Sequence, residues 1–279
     1  MNIVFWSPVH GQTRQSSNMI ALALMIALKN GYRGLITQTQ FSMNDMEDVI
    51  VGRTSRKEAR DRFYEDVGID ALIRVFKSKQ LSRAAIENCG IQLLDTDGSG
   101  SLALLPGTQS ESKQLFNNDD MEGLLLAVLR EVERCYDLVF IDVNPGMGEQ
   151  TKKLIRKADM VVVNLSQNIS LSDALFRDFP EELKGKKVFF LIGSYLSGSR
   201  YSVKNMCRRY KLMNPSNSAV IPLNVSFMDA IASGTVRDFF VRNVDEDINE
   251  GIRVFMKEVG MAADMILRLL KLDREREEA

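Results

Sequence analysis

Residues 6–17 read Trp-Ser-Pro-Val-His-Gly-Gln-Thr-Arg-Gln-Ser-Ser and join a short apolar strand, 2–5, to an apolar helical stretch, 17–28. A loop between a strand and a helix N-terminus turns backbone N–H groups toward one point, where the helix dipole adds positive potential. That arrangement binds phosphate, and a loop built for a triphosphate adds glycines for close backbone approach and a lysine for the β- and γ-phosphates. Here Gly11 is kept, Ser16 and Ser17 offer hydroxyls beside a Mg²⁺, and the lysine place is taken by Gln15. Gly11, Gln12, Thr13, Arg14, Gln15, Ser16 and Ser17 are therefore candidate nucleotide-binding residues in a loop without its lysines. A plainer reading makes the same residues only the start of a helix, with Ser16 or Ser17 as N-cap, and the sequence leaves both open.

A second candidate lies in Tyr136-Asp137-Leu138-Val139-Phe140-Ile141-Asp142-Val143-Asn144-Pro145-Gly146. An apolar strand that ends in an aspartate before a Pro-Gly turn sets one carboxyl group at the C-terminal edge of a sheet. Taken alone such an aspartate is more often a cap or turn residue. Beside the first loop it pairs with Ser16 as a candidate Mg²⁺ site, holding the ion through water. The third candidate is the basic stretch 199–211, where Arg200, Lys204 and Arg208 fall at i, i+4 and i+8 and would form one line on a helix. Such a line could meet DNA phosphates or an acidic partner, and a solvated helix face accounts for it equally well.

These residues need a scaffold, and the pattern around them supplies one. Apolar runs of strand length occur at 2–6, 35–39, 91–94, 102–105, 138–142, 160–165, 188–192 and 219–221. Several are apolar at every position, as strands covered by helices on both faces should be. Helix-period segments such as 19–28 and 121–132 alternate with them, which predicts an α/β fold with a doubly wound, mostly parallel sheet. No Pro-, Gly- or Ser-rich linker divides the chain, so residues 1–279 are expected to form a single domain. Residues 43–88 read as a charged helical insertion made of segments 43–51, 68–79 and 81–88. Residues 247–279 read as a C-terminal helix and tail, with Ile252, Phe255, Met256, Val259, Ile266, Leu269 and Leu270 on one stripe.

Composition closes off several functions. With 36 Lys+Arg against 37 Asp+Glu the formal charge is −1, so nucleic-acid binding would need a local patch. The single histidine, His10, excludes a multi-His metal site, and Cys89, Cys135 and Cys207 lack metal or redox spacing. They read as reduced thiols, and with no apolar run near the roughly 18 residues a bilayer needs, a cytoplasmic protein without a transmembrane segment is expected.

On these motifs the chain resembles the ParA/MinD group of P-loop ATPases, which includes the CpaE/TadZ-type proteins of Tad (Flp) pilus systems. That group carries a loop reading K-G-G-x-G-K-[ST]-[ST], a Walker B strand ending I-D-x-x-P-G, and an Ile-Pro late in the sheet. Taken in order, the loop corresponds to His10 through Ser17, the Walker B aspartate to Asp142, and the Ile-Pro to Ile221-Pro222. Leu104-Leu105-Pro106-Gly107-Thr108 and Ala158-Asp159-Met160-Val161-Val162-Val163 are similar to the strands on either side of Walker B in chain order.

The resemblance implies a nucleotide-switch fold, ATP or ADP with Mg²⁺ as ligand, homodimerisation, and partners in a larger assembly or on DNA. The departures cut against the chemistry. The group's two lysines fall on His10 and Gln15, a glycine falls on Arg14, and the strand-2 aspartates that position Mg²⁺ and water fall on Thr37 and Thr39. Removing a charge-assisted hydrogen bond to phosphate costs about 1.5–3 kcal/mol, and no carboxylate remains to orient an attacking water. The expectation is a pseudo-ATPase with no catalytic residue and no required cofactor, serving as a positioning or assembly factor for a Tad-type pilus or secretion system. The alternative is an active ATPase in which Arg14 replaces the lysine. Segment 41–48 is where the group's switch residues would begin, and its Ser42 reads as an N-cap with Asp45 as a first-turn acid. The balanced charges at the end of the C-terminal helix favour docking on the domain or a second subunit over a membrane.

Overall fold

The computed structural model describes residues 1–39, 46–50, 67–96, 100–107, 119–245 and 249–271. The strands are β1 (Asn2–Trp6), β2 (Arg33–Gln38), β3 (Ile91–Asp95), β4 (Ser101–Leu105), β5 (Leu138–Asp142), β6 (Met160–Leu165), β7 (Val188–Tyr195) and β8 (Ser218–Pro222). All eight apolar runs become strands, and they form one sheet in the order β3-β4-β2-β5-β1-β6-β7-β8. Every neighbouring pair is parallel except β3 with β4, whose short connection returns the chain antiparallel.

The order decides where a site can form. β1 lies between β5 and β6, with Phe5 beside Asp142 and Trp6 beside Val163. From β1 the chain winds to one edge, returns to β5, then crosses β1 to β6 and winds to the other edge. The crevice at the C-terminal ends of β1 and β5 is thus the topological switch point, where doubly wound sheets open a cleft.

Strand alternation divides the core into two layers. Ile3, Phe5, Phe140, Val162 and Leu191 face α1 (Gln15–Met25), α2 (Met46–Ile50), α9 (Val225–Ser233), α10 (Val236–Asn243) and α11 (Glu250–Leu270). Val4, Trp6, Ile141, Val163 and Ile192 face α3 (Gly68–Lys77), α4 (Arg83–Asn88), α5 (Asp119–Val132), α6 (Glu149–Lys157), α7 (Ile169–Arg177) and α8 (Val203–Arg209). The described parts of the expected insertion are therefore divided between the layers, Met46 and Ile50 of α2 lying in the first and α3 and α4 in the second. Ile69, Leu72 and Ile86 share a core with Leu125 and Leu129. Segment 51–66, residues Ser42 and Asp45, Thr108, and the tail 272–279 lie outside the described residues.

Helix α1 runs on into a π-helical turn, Ile26–Asn30, closed by Gly31 at φ 66°. Helix α11 docks on β8 and α1 through Phe255, Met256, Val259, Ile266 and Leu270, all buried, with the Phe255 ring 4.7 Å from that of Phe227. The apolar stripe expected there is largely spent inside the fold, although Ile252 and Leu269 are only half-buried and Ala262, Ala263 and Leu267 join it. Among the described residues no helix is long and apolar enough to cross a membrane.

Candidate functional site

The loop after β1 keeps the backbone path of a phosphate cradle. Gly11 sits at φ 75°, and Arg14 holds the left-handed conformation at φ 60°, ψ 33° as the residue before α1. An L-residue pays about 1–2 kcal/mol for that conformation, so the turn retains a glycine's geometry at a position without glycine. Helix α1 starts at Gln15, so Ser16 and Ser17 lie in its first turn. The cap position belongs to Arg14, which makes no side-chain capping bond. The reading of Ser16 or Ser17 as N-cap is thereby corrected: the tight turn, not a capping hydroxyl, starts the helix.

Asp142 is fully buried at the end of β5, and both its oxygens are occupied. Gln15 Nε2 donates to Oδ1 at 2.5 Å and to the Val143 carbonyl at 2.7 Å, while Ser16 Oγ donates to Oδ2 at 2.6 Å. The side chain in the lysine place thus reaches into the crevice and closes on the carboxyl group opposite. Gln15 itself is buried, and its Oε1 accepts no hydrogen bond. Thr37 turns into the sheet, where its hydroxyl donates to the Leu105 carbonyl at 3.0 Å. Thr39 stays at the crevice, its N–H donating to the Asp142 carbonyl at 2.9 Å. No carboxyl group stands on β2.

A further set of polar bonds ties the loop down. Trp6 Nε1 donates to the Gly146 carbonyl at 2.6 Å, and Gly146 N–H returns to the Ser7 carbonyl at 3.0 Å. Thr13 Oγ1 donates to Ser7 Oγ at 3.0 Å. Buried Asn18 bridges the Thr13 carbonyl at 3.0 Å and Asn164 Oδ1 at 2.9 Å. Gly193 lets the loop approach β7: a Cβ there would lie 2.4 Å from the Thr13 carbonyl oxygen. Sequence reasoning missed Ser7, Asn18, Asn164 and Gly193. The legible signal was Asn164, a polar residue inside the otherwise apolar run Met160–Leu165, since a buried amide must find partners.

His10, Gly11, Gln12 and Arg14 are exposed, Thr13 is buried, and Ser16 and Ser17 are half-buried. Lys152 is turned to Glu149 on α6, their 2.8 Å pair raising the lysine pKa and lowering that of the acid. Beside the α1 N-terminus, Arg14, Ser17 and Asn18 meet Ser194, residues 221–224, Phe227 and Met228 across a gap of about 10 Å³, roughly one water. Among the described residues no group of three metal-ligating side chains converges.

The basic stripe is not one helix face. Helix α8 spans Val203–Arg209, so Lys204 and Arg208 share a face, but Arg200 precedes the Ser202 cap and packs on the Tyr201 ring at 4.9 Å. The Ser-Arg-Tyr-Ser approach to the cap is what stops the helix from reaching back to Arg200. On the same helix Arg209 forms a two-pronged pair with Asp173 at 2.7 and 2.8 Å, joined by Tyr210 Oη at 2.8 Å. The guanidinium, then the phenol, hold the Asp173 carboxyl down at about 2.

No protein-family model matches the sequence and no curated protein is significantly similar to it. Its fold has solved counterparts. A ParA family ATPase from Chlorobium tepidum TLS superposes with a TM-score of 0.70 at 11% identity, covering 94% of this chain and 98% of that one. The cell division ATPase MinD of Pyrococcus furiosus gives 0.66 at 16% identity, covering 96% and 98%. The septum site-determining protein MinD of Pyrococcus horikoshii OT3, complexed with Mg-ADP, gives 0.65 at 14% identity, covering 95% and 96%. The chain has the ParA/MinD-type P-loop fold.

Proposed function

We propose that this protein is a pseudo-ATPase of ParA/MinD type that works through protein contacts, as a positioning or assembly factor. The carrying observation is the closed pair at the switch point: the Gln15 amide and Ser16 hydroxyl occupy both oxygens of Asp142. The residues do not suit a tightly held Mg-nucleotide. The loop 7–17 contains no lysine, and β2 and the position after it carry Thr37 and Thr39 in place of carboxylates. Replacing two lysines removes about 3–6 kcal/mol of phosphate binding, roughly a hundred- to ten-thousandfold in affinity. What remains is the scaffold, its loop satisfied internally and its outer surfaces available to partners. In this reading residues 1–279 act as one unit in the cytoplasm, and a Tad-type pilus or secretion apparatus is the machine first to be tested.

Isothermal titration with Mg-ATP and Mg-ADP, with a phosphate-release assay, tests the reading. The expected outcome is no binding in the micromolar range and no turnover. Micromolar binding with turnover lost in Asp142→Ala would overturn it. One observation favours a rewired, active ATPase instead: Arg14 is exposed on the loop and is the one cation among the candidate residues 11–17. That reading requires ATP-dependent dimerisation in gel filtration, abolished by Arg14→Ala.

A further inference from the structure

A groove of about 720 Å³ opens where the C-terminal ends of β7 and β8 meet the N-termini of α9 and α11. Of the aliphatic side chains that line it, Leu196, Leu223, Val225 and Val254 are well exposed, at 55%, 46%, 71% and 45%. Large aliphatic groups left this open on neighbouring elements form a contiguous patch of the kind that marks an interaction site. Its charge has one sign. Glu250, Val254 and Glu258 stand at i, i+4 and i+8 along α11, so two carboxylates flank an apolar contact on one face. Among the described residues no cation lines the groove, and neither glutamate is in an ion pair.

We infer that this groove receives a basic amphipathic helix from a partner protein, its apolar stripe on Leu196, Leu223, Val225 and Val254 and its Lys or Arg residues against Glu250 and Glu258. Helix-in-groove recognition uses apolar anchors at helical spacing, and opposite charge sets register and approach. The chain's own candidates fit poorly. Residues 272–279 hold four acids against two arginines and would be repelled. The exposed face of α8 is basic but presents Lys204, Asn205 and Arg208 without an aliphatic anchor. Among the described residues, the other exposed large apolar side chains, Met1, Leu212, Val241 and Met261, stand singly on separate elements. An anionic membrane would meet like charge.

The inference rests on the assembly role proposed above and names its partner chemistry. Its test contains no nucleotide, so either can fail without the other. The probe is a fluorescein-labelled Leu/Lys amphipathic peptide about four helical turns long, with a Leu/Glu peptide of the same pattern as its opposite. Anisotropy should show saturable binding of the Leu/Lys peptide to the native protein. Val225→Asp should weaken it at least tenfold, and Glu250→Lys with Glu258→Lys should do the same while gaining affinity for the Leu/Glu peptide. Val225→Asp keeps the fold accessible, because the residue is exposed and an acid at a helix N-terminus is favourable; unchanged melting in circular dichroism verifies this. No binding by the native protein, or equal binding by the variants, overturns the inference. So does concentration-dependent self-association of the native protein that Val225→Asp abolishes, since a second copy would then fill the groove.

Discussion

Asp142→Ala separates a structural keystone from a catalytic remnant. In a working site a buried carboxyl group held ready for a cation is under strain, and removing it often leaves stability unchanged or raises it. Here Asp142 is fully buried and accepts from Gln15 at 2.5 Å and from Ser16 at 2.6 Å. Truncation removes two hydrogen bonds to a carboxyl group, each about 1.5–3 kcal/mol, while Gln15 keeps the Val143 carbonyl and water entering the gap recovers part, leaving a loss of about 3 kcal/mol. At a urea slope of about 3 kcal/mol per M, the unfolding midpoint should fall by about 1 M with the slope unchanged. The assay is equilibrium urea unfolding followed by tryptophan fluorescence, since Trp6 bonds to the turn just beyond Asp142. Saturating Mg-ATP should leave both curves in place. A midpoint equal to or above that of the native protein would refute the reasoning, because Gln15 and Ser16 would then not depend on Asp142.

Gly193→Ala should destabilise by about 1–3 kcal/mol, as overpacking does; the new methyl would meet Thr13 O and Asn18 Nδ2 at 2.4 and 2.6 Å, and thermal melting reads the loss. Arg14→Gly should stabilise by about 0.5–1 kcal/mol, the relief of left-handed strain less glycine's entropy, seen as a melting temperature up by about 1–3 °C; a decrease would mean that the Arg14 side chain holds the loop. Asp173→Asn tests the α7–α8 clamp by pH. The folded carboxyl is held at about 2, below its unfolded value near 4, so its stabilisation is present above pH 4 and lost as pH falls toward 2. The melting-temperature gap between native and variant should close across that window, and a constant gap would assign the clamp no ionic part.

Much of the architecture was legible because it depends on local pattern. Runs such as 138–142 and 160–165 are apolar at nearly every position, and only a strand covered on both faces needs that. The loop, Asp142 and the missing lysines could be named from order and spacing alone, as could the apolar stripe of α11. The extent of α8 could not: periodicity put Arg200 on a helix that the Ser202 cap begins two residues later.

What only the tertiary structure decided is what those residues do to one another. Gln15 and Asp142 are 127 positions apart, and their bond exists because β5 pairs with β1 in the register Phe5 to Asp142. A glutamine in place of lysine reads in sequence as a lost charge; in space it is also a donor of the length needed to close on the carboxyl group across the crevice. The groove at β8 has the same origin. Val225 and Val254 are ordinary residues in their own helices, and they become one surface because Asn224 caps α9 while its amide bonds to the Gly251 carbonyl of α11 at 3.1 Å. Local propensity acts within a few residues of the chain, whereas sheet register and helix docking bring distant side chains within hydrogen-bond reach.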